Sequence, residues 1–231
     1  MCGRYTLSAP GDVVAESFGL AQAPVLVPRF NIAPSQEVPI VRAAPTGPRH
    51  ELALVRWGLV PSWAREAAIG NRLINARAET VTEKPAFRDS FRRRRCLVVA
   101  DGFYEWQTGG RRKQPWHFRR PDGTPIALAG LWARWPDPAG GDLETCAILT
   151  TEANEVVAPV HGRMPVLLDR AGAEVWLHGG AESARLASLL APAPSGALVG
   201  YPVSPAVNDP RHDAPDCVLP LPSREPGSAS L

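Results

Sequence analysis

The chain begins Met-Cys-Gly-Arg-Tyr, which places a thiol one residue from its start. Removal of Met1 leaves Cys2 with an α-amine and a thiol on adjacent carbons, a pair of nucleophiles that no internal residue offers. An α-amine has a pKa of about 7.7–8, so roughly a tenth to a sixth of it is neutral at pH 7, against about 0.04% of a lysine. The neighbouring thiol, near 8.5, is a second strong nucleophile. With an aldehyde the amine forms an imine, and the sulfur then closes a five-membered thiazolidine. Position alone also fits a small residue filling an ordinary first strand.

Four other segments carry groups suited to such chemistry. In Leu-Ile-Asn-Ala-Arg-Ala-Glu-Thr, Asn75 and Arg77 alternate, so an extended backbone aims an amide and a guanidinium to one side. In Ala-Asp-Gly-Phe-Tyr-Glu-Trp, Glu105 lies inside an aromatic, strand-like run. Burial there would raise its pKa toward neutrality and suit it to moving protons, whereas an edge-strand position would leave it solvated. In Pro-Val-His-Gly-Arg-Met-Pro-Val, His161 can give a proton near neutral pH and Arg163 can hold a phosphate. In Arg-Trp-Gly-Leu-Val-Pro-Ser-Trp, Trp57 reads as core, while Pro61 to Trp63 reads as an exposed segment on which bases can stack. The run Arg92–Arg95 reads as a solvated helix end, because four consecutive side chains point in different directions.

The elements that must hold these groups follow from pattern. Twenty-five prolines, dense through the first third, exclude long helices there. Strands are expected over 38–43, 51–60, 95–106, 115–120, 125–135, 145–152, 164–169 and 198–203, where β-branched and aromatic residues gather between turn residues. Helices are expected over 11–18, 85–93, 171–177 and 182–190, from apolar residues at three- and four-residue spacing. The expected class is α+β: a strand-dominated, mixed or antiparallel, barrel-like sheet core with a few peripheral helices, one domain over 1–220 and a disordered tail over 221–231.

Composition limits the setting. No apolar run reaches membrane-span length and the start lacks the order of a secretory signal, so a cytoplasmic location is expected. Cys2, Cys96, Cys146 and Cys217 are too scattered for a disulfide framework or paired metal ligands, and free thiols are expected. A net charge of +2 does not by itself announce nucleic acid.

The segments MCGRY, RFNIAPSQ, RWGLVPSW, INARAET, ADGFYEW, HGRMPV and YPVSPAVN, in this order, resemble the SRAP family of abasic-site processing proteins, first called SOS-response-associated peptidases. The resemblance runs from Cys2 to about Val218. It implies a mixed α/β fold with a positive groove for single-stranded DNA, and a covalent thiazolidine bond between the mature terminal cysteine and an abasic-site aldehyde. Cys2 corresponds to the nucleophile, Asn75, Glu105 and His161 to polar residues around the sugar, and His161 to the proton donor. Thr150 corresponds to a pocket threonine, Arg77 and Arg163 to phosphate contacts, Trp63 to a wedge between bases, and Arg4 joins the DNA-contacting set. Ser62 and Ala64 stand where family members often carry a second aromatic. Autocatalytic loss of Met1, lyase-type activity, no cofactor or metal, no membrane partner, a bacterial and nucleoid-associated setting and a monomeric state complete the expectation. Two other readings fit the same residues: an amino-terminal-nucleophile amidohydrolase, and a non-catalytic reader of single-stranded or modified DNA.

Overall fold

The computed structural model describes residues 2–46, 50–110, 113–138, 140–180 and 184–222. Its strands in chain order are β1 (Tyr5–Leu7), β2 (Arg29–Ile32), β3 (Glu37–Ala43), β4 (His50–Trp57), β5 (Asn75–Arg77), β6 (Arg95–Ala100), β7 (Gly102–Gln107), β8 (Gln114–Arg119), β9 (Ile126–Pro136), β10 (Asp142–Glu152), β11 (Arg163–Pro165), β12 (Leu167–Leu168) and β13 (Val199–Pro202). The α-helices are α1 (Gly11–Phe18), α2 (Arg88–Arg93), α3 (Arg170–His178) and α4 (Ala184–Ser188). Short 3₁₀ turns fill several loops.

The fold is α+β and strand-dominated. Strands β10, β4, β3, β6 and β9 pair in that order, and β9 pairs back onto β10, closing a small mixed barrel in which the β4–β10 contact is parallel. A second sheet, ordered β13-β8-β7-β1-β2, lies alongside. Leu97, Leu128, Leu131, Ile148 and Met164 from the barrel and Tyr5, Phe103 and Phe118 from the second sheet belong to one buried cluster, which locks the two sheets together. The outer face of the second sheet carries a smaller cluster, Tyr104 with Val203, Val207 and Cys217, so the C-terminal segment covers that face.

Two expected strands are broken, each for a visible reason. The run 95–106 divides at Asp101, whose carboxylate accepts from the backbone N–H and hydroxyl of Ser8 and the N–H of Ala9. Its β6 half enters the barrel and its β7 half enters the other sheet. Gly102 follows because a Cβ there would stand 2.5 Å from His117 Nε2. The run 164–169 divides at Val166, whose N–H bonds Leu149 O and whose carbonyl accepts from Ala129, so β11 pairs antiparallel with β10 while β12 pairs antiparallel with β9.

The helices keep close to their expected positions. Helix α1 buries Val14 and Phe18, four residues apart, and ends at Gly19 in the left-handed region (φ 64°). Helix α3 is capped by Asp169, which accepts from Gly172 N at 2.7 Å, and buries Trp176 against the barrel. Helix α2 starts three residues later than expected. The helix expected over 182–190 is α4, and residues 181–183 lie outside the described residues. So does the expected tail from residue 223 onward.

The reading of Arg92–Arg95 as a solvated helix end fits the exposed Arg92 and Arg93 at the end of α2 and needs correction at Arg95. Arg95 is buried (9% exposed). Its guanidinium donates to Phe91 O at 2.8 Å, Arg92 O at 3.2 Å, Trp176 O at 2.5 Å and Gly179 O. One arginine therefore satisfies carbonyls at the C-terminal ends of both α2 and α3, where a cation also complements the helix dipoles.

Candidate functional site

Three backbone pairings bring the amino terminus to its polar neighbours. Strand β1 runs antiparallel to β7, with Tyr5 opposite Phe103 and Tyr104 N–H bonded to Arg4 O at 3.0 Å, so the chain before Tyr5 passes beside Glu105. Strand β5 lies parallel to β10, with Asn75 opposite Ile148 and Arg77 opposite Thr150. Strand β11 pairs with the other side of β10, placing Arg163 opposite Glu152. Asn75 ties these layers together, because its Nδ2 donates to Cys2 O at 2.8 Å. Its Oδ1 is buried and has no hydrogen-bond partner among the described residues.

Glu105 is 2% exposed, and desolvation raises its pKa from 4.5 to about 7, with the positive charge of the chain's amino terminus pulling the other way. The carboxyl group is therefore divided between its acid and base forms near neutrality. His161 Nδ1 lies 3.8 Å from Glu105 Oε2, too far for a hydrogen bond, and 3.0 Å from Arg163 N. The Arg163 carbonyl lies 3.1 Å from the same ring nitrogen, so Nδ1 faces both a donor and an acceptor of Arg163 and either ring nitrogen can carry the proton. Desolvation lowers the His161 pKa, so the neutral ring dominates at pH 7. Cys2 is wholly buried, and burial followed by the Glu105 charge pushes its thiol well above the usual range. The sulfur is held as a thiol until a base takes its proton.

The structure thus brings Cys2, Asn75, Glu105 and His161 together, with buried Thr150 beside them. Arg163 packs at the same edge: it donates to both oxygens of Glu79, at 2.6 and 3.0 Å, and to Thr150 O at 2.6 Å. Its guanidinium is occupied, whereas Arg77 on the same edge is exposed. Arg4 donates to Asn31 Oδ1 at 3.0 Å and to Val207 O at 2.8 Å, which anchors β1 to β2 and to the C-terminal segment. Asn31 is fully buried, and its Nδ2 also reaches Val207 O, Asp209 O and His212 O. Sequence reasoning passed over Asn31 as a functional support. An amide enclosed by Phe30 and Ile32 in a strand was the available signal.

Trp63 lies on the loop joining β4 to β5 and is 59% exposed, its Nε1 donating to Pro85 O at 3.4 Å. Pro61, expected to be exposed with it, is buried. The loop turns tightly at Gly58 (φ 130°) against Gly70, where a Cβ at Gly58 would meet Gly70 O at 2.7 Å. A cleft of about 640 Å³ opens beside Trp63, lined among others by Arg88, Arg92, Arg94 and Arg134. Asp89 lines the same cleft and pairs with Arg94 at 2.7 Å, and Arg134 donates to Asp142 at 2.7 Å, so Arg88 and Arg92 supply most of its uncompensated positive charge beside Trp63.

A small mixed barrel that seats a cysteine at position 2 beside an amide, a buried carboxylate and a histidine defines the class of fold. Comparison specifies the class further. The chain belongs to the SOS response associated peptidase (SRAP) family, whose profile it matches over residues 1–210. It is 38% identical over 223 residues to the abasic site processing protein YoqW of Bacillus subtilis, covering 94% of this chain and 99% of that one. It is 33% identical to the abasic site processing protein HMCES of Gallus gallus, covering 84% of this chain and 66% of that one. A crystal structure of a Bacteroides thetaiotaomicron protein superposes with a TM-score of 0.85 at 28% identity, covering 95% of this chain and all of the other. Among the described residues no helix is long and apolar enough to cross a membrane.

Proposed function

We propose that this chain processes abasic sites in single-stranded DNA, forming a covalent thiazolidine through Cys2 once Met1 has left. The observation that carries the reading is the hydrogen bond from Asn75 to the Cys2 carbonyl, which fixes the terminal residue beside a carboxyl group poised near pH 7. The curated relatives named above for abasic-site processing favour the same substrate.

The order of steps follows from the electrostatics. The thiol is held protonated, so the α-amine attacks first, adding to the sugar aldehyde to give a carbinolamine. Glu105 in its acid form gives a proton to the carbinolamine hydroxyl, which leaves as water, and an imine results. The resulting carboxylate then takes the thiol proton as sulfur bonds to the imine carbon. The imine formed by that loss is protonated at nitrogen; as sulfur bonds to its carbon the C=N electron pair returns to the nitrogen, which keeps its proton as the ring amine, so one water is lost in all. Glu105 acts as acid and then as base, a pairing that a pKa of about 7 allows. His161, expected to be the proton donor, has its pKa lowered by desolvation and is neutral at pH 7, so it serves better as a hydrogen-bonding partner of the sugar than as a charged acid while the hemiacetal opens. Asn75 Oδ1 accepts from a sugar hydroxyl. Arg77 contacts the flanking phosphate, and Trp63 with the arginines of its cleft holds neighbouring bases. The unit acting is a monomer of one domain, residues 1–220. Met1 removal precedes the reaction because only a free α-amine forms the imine, and Glu105 is the base available for an autocatalytic route.

Incubation of the chain with an oligonucleotide carrying one abasic site, followed by a denaturing gel and intact-mass analysis, tests the reading. The expected product resists heat and detergent and weighs one water less than its parts. It is absent with Cys2→Ala, whose amine still forms a reversible imine. Equal adduct from Cys2→Ala, or Met1 still present in the adduct, would falsify the mechanism. Amide hydrolysis without adduct would favour the amidohydrolase, and salt-sensitive binding alone would favour the reader.

A further inference from the structure

At the far end of β4 from the proposed site, His50, Glu174 and His178 converge. His50 begins β4 and Trp57 ends it, a span of about 23 Å at about 3.3 Å per residue. Trp57 bonds Ile74 O next to Asn75, so the two groups of residues occupy opposite ends of the strand. Glu174 and His178 sit one turn apart on α3. The His50 and His178 Nε2 atoms are 3.2 Å apart, and His50 Nε2 lies 3.3 Å from Glu174 Oε1. His178 Nε2 lies 3.9 Å from Glu174 Oε2.

Second-sphere geometry fixes which atom His50 offers. Its Nδ1 is 2.7 Å from Phe18 O at the end of α1. A carbonyl can only accept, so Nδ1 carries the proton and Nε2 presents its lone pair to the other two residues. Donors at zinc distances of about 2.0–2.1 Å and at tetrahedral angles stand about 3.3 Å apart, close to the two shorter separations here. The ring planes lie 17° apart with centroids 5.3 Å apart. The nitrogens therefore face one another across a gap that holds either a shared proton or, with a tilt of the part-exposed His178 ring, an ion. A carboxylate flanking both nitrogens adds the negative charge that a divalent cation requires.

We propose that His50, Glu174 and His178 bind a divalent transition metal, zinc by preference, given two imidazoles and one carboxylate. The ion joins the end of α1, the start of β4 and α3. Three protein ligands leave a coordination position for water, and a cleft of about 510 Å³ bordered by His50 and Glu174 gives solvent access. A second cluster, His212, Asp216 and Cys217, is less suited. There the Cys217 thiol is directed at His212 O, and both Asp216 oxygens lie 2.9 Å from one imidazole nitrogen.

Zinc titration of the full chain against a chromogenic chelator, with cobalt as a spectroscopic probe, tests the proposal. One equivalent is expected to bind and to raise Tm. The cobalt spectrum should be that of a nitrogen- and oxygen-ligated site, without thiolate charge transfer. His178→Ala and Glu174→Gln, both on exposed positions, should each weaken binding by at least about 100-fold, beyond the roughly 10–100-fold that loss of an outer partner costs. His212→Ala should bind as the parent does, and His178→Ala should form DNA adduct at the parental rate. Failure to bind one equivalent, a thiolate band, or binding that survives in His178→Ala would overturn it.

Discussion

Glu105 and His117 are both 2% exposed and lie on adjacent strands of the same sheet, yet their surroundings give them opposite characters. Glu105 pairs across β7 and β8 with Trp116, and His117 pairs with Tyr104, so the two side chains emerge on opposite faces. The ring of His117 is enclosed, with Nε2 3.3 Å from Thr6 Oγ1 and Nδ1 3.1 Å from Tyr201 Oη. Burial, aided by Arg119, lowers its pKa to about 3, so it stays neutral and structural throughout the physiological range. Glu105 instead faces the amino terminus and is balanced near pH 7. Burial alone does not mark a functional group. What sets Glu105 apart, and supports the acid–base role proposed for it, is burial beside Cys2 with a pKa placed where a proton can move both ways.

The widest separation between the two should appear in rate. Glu105→Gln keeps shape and loses the proton, and should slow adduct formation by about 10²–10⁴-fold, the usual worth of general acid–base catalysis. His117→Gln should leave the rate of the folded protein near parental. Single-turnover kinetics on abasic single-stranded DNA measures both. Equal slowing would erase the distinction.

Stability against pH should separate them by sign. His117 has a folded pKa of about 3 against an ordinary 6.5. Its contribution is complete above pH 6.5 and is lost as pH falls toward 3, at about 1.4 kcal/mol per pH unit and at most about 5 kcal/mol. Urea unfolding at pH 4.5 and pH 7 should show a shallower acid loss for His117→Gln than for the parent. The folded pKa of Glu105 is raised to about 7, so its contribution is complete below 4.5 and is lost as pH rises through 7. The ionised group then costs at most about 3 kcal/mol. Glu105→Gln should therefore be the more stable protein at pH 8, with the gain vanishing at pH 4. A variant that is slower and more stable is the signature expected where function opposes stability.

What the sequence made legible follows from range. Local pattern found the four helices and most strands, because apolar spacing and turn residues act within a few residues. Closure of the barrel by the β9–β10 pairing and the switches at Asp101 and Val166 rest on distant partners, Ser8 for one and Leu149 and Ala129 for the other, and local pattern carries no trace of them. The grouping of Cys2, Asn75, Glu105 and His161 was legible only as a resemblance, since four segments far apart in the chain meet there. Arg163 and Arg95 show the limit on arginines. Both have the type for a phosphate contact or a solvated end, and both are committed to internal acceptors that only the folded chain brings near.

The smallest expected effect lies on the exposed surface and sharpens the contrast by being independent of proton transfer. Trp63→Ala removes a stacking platform worth about 1–3 kcal/mol per base, so affinity for single-stranded DNA should fall by roughly 5- to 150-fold. The rate at saturating DNA should hold. Arg77→Ala should lower affinity modestly and reduce the salt slope of binding by about 0.7, the value for one phosphate contact on a single strand. Because neither residue touches Glu105, the pH profile of the chemical step should be the parental one in both variants. Fluorescence anisotropy over a salt series gives affinity and slope, and single-turnover rates from pH 5.5 to 8.5 give the profile. A Trp63→Ala variant with a shifted profile would mean that the loop from Gly58 to Ile74 positions the acid–base pair as well as the DNA, and grip and chemistry would then no longer be separable in this fold.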